Sequence, residues 1–431
     1  MRAIIAGSGL VGATTAIALH QVGIQSVLYD QVDLVQAALS SGGAPVAVDF
    51  GDSGGSVMLA SSALRVLRTL GLLDEVLASS LPSTYTNWFK INGSAPIVMD
   101  TAKINKDCGE TDPALQTPIQ ILRSKLHNIL MQACHKAGIR TFTGKKLVSV
   151  NQTSTGVFVQ FADGTSAEGD FLVGRMVFTQ QLPTRRQIFG ESSKAEFTGV
   201  IGHIGVVKTR LNNITLKETC AFYLEREKKQ LVCTFKVSDE LAAVQVMTFN
   251  DPLPVEGDEY RPYSDLPKES TRLADLLADW GVPKHVEAMM RKSFRISPAA
   301  IYDLPDLSAY HKGRVVLVGD SAHGMVPNAG LGLLTGLEDV GVLLELFRNF
   351  RNPQDLSKVL DLYSQLRVPR GQDAAGKSRD MAKQYYTGSS TIGHFLLRVG
   401  IFLFNHNLVK YGKVYDCPTD VAAAINGVQA K

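Results

Sequence analysis

An α/β fold with an inserted antiparallel sheet and a helical C-terminal region is predicted for this 431-residue chain. Three observations lead there. A short apolar run, a glycine-rich turn, a helical pattern and a second apolar run follow one another in the first 29 residues. Between about 196 and 250 the hydrophobic period changes to two. Beyond Gly319 the apolar positions return to helical spacing almost to the end.

The elements follow in order. Residues 2–6 (RAIIA) can be buried on both faces, as central strands of parallel sheets are. Gly7-Ser8-Gly9-Leu10-Val11-Gly12 comes next, then a helical pattern through His20 and a second strand at 25–29 (QSVLY) ending at Asp30. That is a complete βαβ unit, the context that turns a bare G-x-G-x-x-G into a strong signal. A helix over 61–72 stops at Gly71, and 119–136 reads as a longer amphipathic helix. Strands at 140–143, 146–151 and 157–161 follow, with Asp163-Gly164 as a hairpin turn and 170–174 as another buried strand. The alternating segments of 196–250 form an antiparallel sheet without a nucleotide motif, a candidate substrate domain. Helices near 270–280 and 284–291 precede a strand at 314–319. The expected division is 1–180 and 300–375 for a Rossmann-like nucleotide domain, 181–299 for the substrate sheet with 76–118 contributing, and 376–431 for the helical end.

Composition excludes several classes. With 44 basic and 41 acidic side chains the net charge is +3, so no basic face for nucleic acid is expected. Five cysteines, odd in number and never at C-x-x-C spacing, argue against a disulfide framework or structural zinc and for reduced thiols, as in the cytoplasm. The regularly spaced glycines near the N-terminus argue against a signal peptide. The apolar stretch 392–409 contains Arg398, His394, His406 and two Asn, too polar to cross lipid unaided. It reads as an amphipathic helix on the core or a partner, with peripheral membrane contact left open.

Two motifs carry chemistry. In the first, Gly7 permits the tight turn, Gly9 lets a pyrophosphate approach the backbone, and Gly12 lets helix pack on strand. The free N–H groups of the helix start at Leu10 and Val11 favour phosphate. Asp30 can accept from both ribose hydroxyls and would repel a 2′-phosphate, so the dinucleotide is FAD or NAD. The second motif, RVVLVGDSAHGMVPNAGLG, places Asp320 at a strand end, Pro327 in a loop, and Gly330, Leu331, Gly332 and Leu333 at a new helix start. A second glycine-rich helix start suggests a site for the other half of the molecule, as a flavin requires.

GSGLVG with Asp30, ILRSKL carrying Arg123, and GDSAHGMVPNAGLG, in this order, resemble the class A flavoprotein monooxygenases of the para-hydroxybenzoate hydroxylase type. Residues 56–72, YDLP (302–305) and YSQLRVPR (363–370) are also similar to family segments, so the likeness spans essentially the whole chain. The resemblance implies FAD, its ADP half on the glycines and Asp30, the pyrophosphate region near Arg123, and the ribityl portion near Asp320. It implies that the start at Gly330–Leu333 faces the isoalloxazine, and it adds Gly55 to the cofactor-binding positions. In that family NAD(P)H reduces the flavin and one oxygen atom passes to an electron-rich ring or alkene. The expected substrate is a hydrophobic small molecule, aromatic or polycyclic, of secondary metabolism.

The chain also departs from the family. Arg175-Met176-Val177 stands where Ala-Asp-Gly is usual, Leu304 where the family has Arg, and Leu334 where it has Asn. No Lys or Arg occurs between Arg2 and Arg65. Since most of these positions relate to the nicotinamide, a second reading stays open: an FAD enzyme of this fold whose flavin is redox-silent, catalysing a cyclisation, isomerisation or dehydration. A non-catalytic flavin-binding protein is a third, which the intact glycines disfavour. NADPH or NADH as co-substrate, the catalytic residues and the oligomeric state stay open.

Other candidates carry less. Gly319-Asp-Ser-Ala-His323 lacks the second glycine of a nucleophile elbow, and His323 reads as a loop residue near the flavin. His203 reads as a satisfied core histidine, with an outlook on the substrate cavity left open; Tyr223 and Phe235 read as packing or cavity lining. No His/Cys/Asp cluster has metal spacing.

Overall fold

Four of the five residues of RAIIA are buried, and they form the strand Arg2–Ala6 inside a six-stranded sheet. The computed structural model describes residues 1–32, 54–174, 185, 188–190, 194–249, 251–253, 262–406, 408–409 and 412–429. Arg2–Ala6 pairs in parallel with Gln25–Tyr29 on one side and Phe171–Gly174 on the other. Arg140–Phe142 and Val315–Leu317 extend the parallel set, and His311–Lys312 adds an antiparallel edge. The parallel strands therefore end together, at Ala6, Tyr29, Gly174 and Leu317, on the side where such sheets receive ligands. The helix Leu10–Gln21 is buried at every position from Leu10 to Leu19, because it lies between the sheet and the helices Arg123–Lys136 and Gly332–Asn349.

A second sheet has seven strands in the order Arg295–Asp303, Glu196–Lys208, Leu241–Thr248, Gln230–Lys236, Cys220–Glu225, Tyr85–Lys90, Ile97–Asp100. It is mixed rather than wholly antiparallel as expected, because Tyr85–Lys90 arrives from earlier in the chain and pairs in parallel with Cys220–Glu225. The strand Arg295–Asp303 runs across residue 299. One face, with Val207, Val244 and Val246, is covered by Leu273, Leu277 and Met290 of the helices Leu266–Asp279 and Lys284–Arg291. The other, with Trp88, Val200 and Met247, meets Tyr385 and Ile401 of the helices Leu356–Tyr386 and Ser390–Asn405.

The expected 119–136 helix begins later. Ile119–Leu122 is a strand paired antiparallel with Ser56–Leu59 and buried at all four positions, so the helix starts at Arg123. Pairing and burial override the apolar spacing there. The cysteines are unpaired, and burial pushes the Cys134 and Cys220 thiols up to about 12, which makes them inert packing residues at neutral pH. Among the described residues no helix is long and apolar enough to cross a membrane, and no acidic, His or Cys group could hold a metal.

Candidate active site

Gly7 follows the first strand at φ 111°, a conformation that L side chains rarely adopt, and its N–H donates to Tyr29 O at 2.7 Å. Asp30 Oδ2 accepts from the Ser8 N–H at 2.7 Å and the Ser8 hydroxyl at 2.8 Å, while Oδ1 accepts from Val32 N–H at 2.9 Å. The acid and the glycine turn are thus one unit. The helix Leu10–Gln21 begins after Gly9 with no side-chain cap and no acidic residue in its first turn. Its first N–H groups and dipole are available to an external anion.

The second helix start is built the same way. Gly319, at φ 56°, turns the chain after Val315–Leu317 into the short helix Asp320–His323. Gly330, at φ 65°, ends the turn Pro327–Ala329, and the helix Gly332–Asn349 begins with no side-chain cap and no acid in its first turn. Val11 joins the two starts. A Cβ on Gly319 would lie 3.1 Å from Val11 Cγ2, and one on Gly336 only 2.7 Å from it. The Asp320 carboxylate lies beside the second start, 3.8 Å from the position a Cβ on Gly332 would take. Through Val11 the helix start that follows Gly7 and Gly9 packs against Gly319, next to Asp320, and against Gly336, one turn past Gly332 and Leu333, while Asp30 is tied to the first glycine turn through Ser8.

Arg123 and Gly55 form a separate contact, Arg123 N–H donating to Gly55 O at 3.0 Å, with the Arg123 side chain exposed. Their helix reaches the glycine turn through His127, whose Nε2 is 2.7 Å from Ser8 O. Sequence reasoning missed His127. The signal was its place four residues after Arg123, one turn along the same helix face.

Beneath the second start lies a buried ionic network. Asp339 Oδ2 accepts from Gly319 N–H at 2.8 Å and lies 2.7 Å from His323 Nε2. Arg367 Nε donates to Asp339 at 2.7 Å and its Nη2 to Glu338 at 3.2 Å, while Arg370 makes two 2.9 Å bonds to Glu338. Burial works against charge on both carboxylates, but His323 and Arg367 for Asp339, and Arg370 and Arg367 for Glu338, hold them below the usual range. Tyr415 lies 4.9 Å from both guanidiniums. His323 is thus not a loop residue as expected: it closes the short, buried helical turn Asp320–His323 and, through Asp339, helps hold that segment in place.

A cavity of about 270 Å³ opens between the seven-stranded sheet and the loop before Gly330. Val200, Met247, Phe249 and Ile301 form its sheet side, Val326, Pro327 and Asn328 its loop side, and Tyr386 its far wall. Pro327 therefore belongs to the cavity. Asn328 Nδ2 donates to Tyr386 OH at 3.2 Å, which ties the loop to the long helix. Arg379 Nε donates to Asp303 at 2.6 Å and its Nη2 to Asp306 at 3.1 Å.

His203 does not look into this cavity. It pairs across the sheet with Val246, which packs on the helix-covered face, and its Nδ1 and Nε2 are 2.9 Å from Tyr263 OH and Thr248 Oγ1. Asp251 lies 2.8 Å from Nε2, and the bond from His203, with the Arg272 charge, holds its carboxyl at about 2 against its burial. Tyr223 stacks on Phe89 in the helix-covered core, whereas Phe235 packs on the cavity side against Phe222.

These residues fit a dinucleotide. Two adjacent uncapped helix starts can hold a pyrophosphate, and Asp30 stands at the neighbouring strand end where ribose hydroxyls would reach it.

The comparisons agree with that geometry. Residues 1–175 and 280–378 match the family model described as FAD binding domain. The FAD-dependent urate hydroxylase of Mycolicibacterium vanbaalenii is 26% identical over 387 residues, covering 88% of this chain and 87% of that protein. The 3-amino-4-hydroxybenzoate 2-monooxygenase PtmB3 of Streptomyces platensis is 24% identical over 387 residues, covering 89% and 88%. Among solved structures, Klebsiella pneumoniae HpxO complexed with FAD and uric acid superimposes with a TM-score of 0.75 at 19% identity, covering 98% of this chain and 97% of that one.

Proposed function

We propose, from the premise that this chain belongs to the FAD binding domain family and is a class A FAD-dependent monooxygenase, that it hydroxylates or epoxidises a hydrophobic aromatic or polycyclic molecule in the cavity at Val200, Met247 and Tyr386. The observation that carries the reading is that this apolar cavity is closed on one side by Pro327 and Asn328, in the loop leading to the second helix start. Substrate and flavin would then meet across one loop. Bound FAD supplies the oxygen-transfer chemistry, with NADPH or NADH as the reductant.

In this reading the helix starts after Gly9 and Leu331 bind the phosphates, Asp30 accepts from the ribose, and Asp320 orients the ribityl chain. Arg123 screens the pyrophosphate from its exposed position. The sheet side chains exclude water. Arg379 at the cavity wall is matched by two carboxylates, Asp303 and Asp306, which among the described residues leaves Lys383 as the lining cation that could meet an acidic group of the substrate. The proposed division of labour is 1–180 and 300–375 for the cofactor, 181–299 with 76–118 for the substrate, and 376–431 for the helical end. Free, buried thiols support a reducing, cytoplasmic setting.

The redox-silent alternative has no support among the relatives, which are named as hydroxylases and monooxygenases. Arg175-Met176-Val177, on which it partly rested, lies outside the described residues. The deciding experiment adds NADPH or NADH anaerobically to the yellow protein with candidate substrate present. Bleaching, followed by oxygen-dependent product, is expected; product formed without oxygen from a flavin that stays oxidised would overturn the reading.

A further inference from the structure

The helix Ser390–Asn405 is apolar on the side that faces away from the protein. Its inner side packs Leu397 and Ile401 against the sheet and is fastened by polar bonds to and beside the edge strand Ile97–Asp100. His394 Nε2 lies 2.8 Å from Ala95 O, Asn405 Nδ2 donates to Val98 O at 2.8 Å, and Asp100 N–H donates to Asn405 Oδ1 at 3.1 Å. The Asn405 amide thereby occupies a sheet edge that another strand could otherwise pair with. Gly393 allows a close approach, since a Cβ there would lie 2.6 Å from the Arg226 guanidinium Nε.

The outward side carries Ile392, Phe395, Leu396, Val399 and Phe402, at the spacing of a single helical stripe. Ile392 and Phe395 are each 62% exposed, Leu396 61% and Phe402 53%, and Leu408 and Val409 continue the exposed apolar surface. Scattered exposed apolar residues are ordinary, but a continuous stripe opposite the docked face is an interaction surface.

Charge decides what it meets. The helix and the residues after it as far as Tyr415 contain Arg398, Lys410 and Lys413 and no acidic residue, and the neighbouring carboxylates of Glu225 and Glu227 are engaged by Ser390 at the helix start. A second copy docked on the same stripe would set these cations against their equals, whereas an anionic lipid surface complements them while accepting the apolar side chains. The start of this helix lies near the cavity, because Tyr386 and Thr387 line the cavity and the helix begins at Ser390.

We propose that this helix docks the protein on an anionic lipid surface, lying in the interface with its apolar stripe inserted. The cavity then opens beside the layer in which a hydrophobic substrate concentrates, a consequence that rests on the cavity reading above; the docking itself does not.

The test is flotation of the full-length protein with vesicles of phosphatidylcholine alone or mixed with phosphatidylserine. Binding to the mixed vesicles is expected to be at least about tenfold stronger and to weaken with salt. Replacing Phe395→Asp and Leu396→Asp together should weaken it about a hundredfold, leaving flavin content and melting temperature unchanged because both side chains are at the surface. Arg398→Glu should reduce the preference for phosphatidylserine. The proposal is overturned if the wild type ignores phosphatidylserine vesicles, if neutral vesicles bind equally well, or if the double variant floats like the wild type. It is also overturned if vesicle binding is absent and the double substitution instead splits a dimer in free solution.

Discussion

Replacing Gly336 by alanine tests whether the two helix starts are held together by close packing at Val11. In a helix interior alanine is better than glycine by about 1 kcal/mol, so propensity alone predicts a more stable protein. The packing predicts the opposite. The new Cβ would lie 2.7 Å from Val11 Cγ2 and 3.2 Å from Gly319 Cα, against 3.4 Å or more for an ordinary contact. Neither neighbour yields easily, since valine is confined to few rotamers in a helix and Gly319 is backbone at the turn into Asp320. Overpacking of this kind costs about 1–3 kcal/mol, so the net effect is a loss of up to about 2 kcal/mol, or a few degrees in melting temperature. Opening the joint by about 0.7 Å also misplaces one of the two proposed phosphate-binding starts against the other, which should weaken FAD about tenfold. The assays are thermal unfolding and titration of the apoprotein with FAD. Val11→Ala combined with Gly336→Ala should restore both, because it removes the obstructing methyl. A Gly336→Ala protein that melts higher than the wild type and keeps its full flavin affinity would refute the reasoning.

Four further outcomes follow from the same geometry. Asp30→Ala removes the acceptor of both Ser8 bonds and of the proposed ribose bonds, so flavin retention after gel filtration should fall about a hundredfold in affinity terms. Arg367→Leu leaves Asp339 and Glu338 buried without their shared cation and should destabilise by about 3–5 kcal/mol in denaturant unfolding, with a near-neutral effect contradicting the network's role. Tyr386→Ala opens the far cavity wall and should raise KM several-fold while NAD(P)H-dependent flavin reduction without substrate is unchanged. Burial, with Arg398, Lys90 and Arg226 nearby, holds the His394 pKa below its usual 6.5. The unfolded chain therefore binds that proton more readily: the contribution is complete above about 6.5 and is lost as pH falls through the lower folded value. Melting temperature should drop on acidification in that window, and less steeply in His394→Gln.

Much of the nucleotide half was legible because its signals are local. Strand, glycine turn and helix adjoin in the first βαβ unit, and Gly7 and Gly330 occupy the positive-φ positions that glycine patterns announce. The second motif was readable for the same reason. Where local signals conflicted with pairing, pairing won: Ile119–Leu122 looked helical by spacing but is claimed by Ser56–Leu59. The side chosen by each strand residue was also hidden. His203 and Tyr223 point to the helix-covered face and Phe235 to the cavity side, which depends on register with strands far along the chain.

Long-range meetings lay furthest from the sequence's reach. Nothing local couples Val11 to Gly336, His127 to Ser8, or Arg367 to Glu338 and Asp339, yet these contacts align the two helix starts and hold the turn beneath them. The amphipathic stretch after Ser390 shows the division most plainly. Its apolar spacing was visible from composition, but which stripe packs inward and which faces out was decided by where Asn405 and His394 find the edge of a sheet. Periodicity along a chain records that a face is apolar; only the packing of distant segments determines what that face meets.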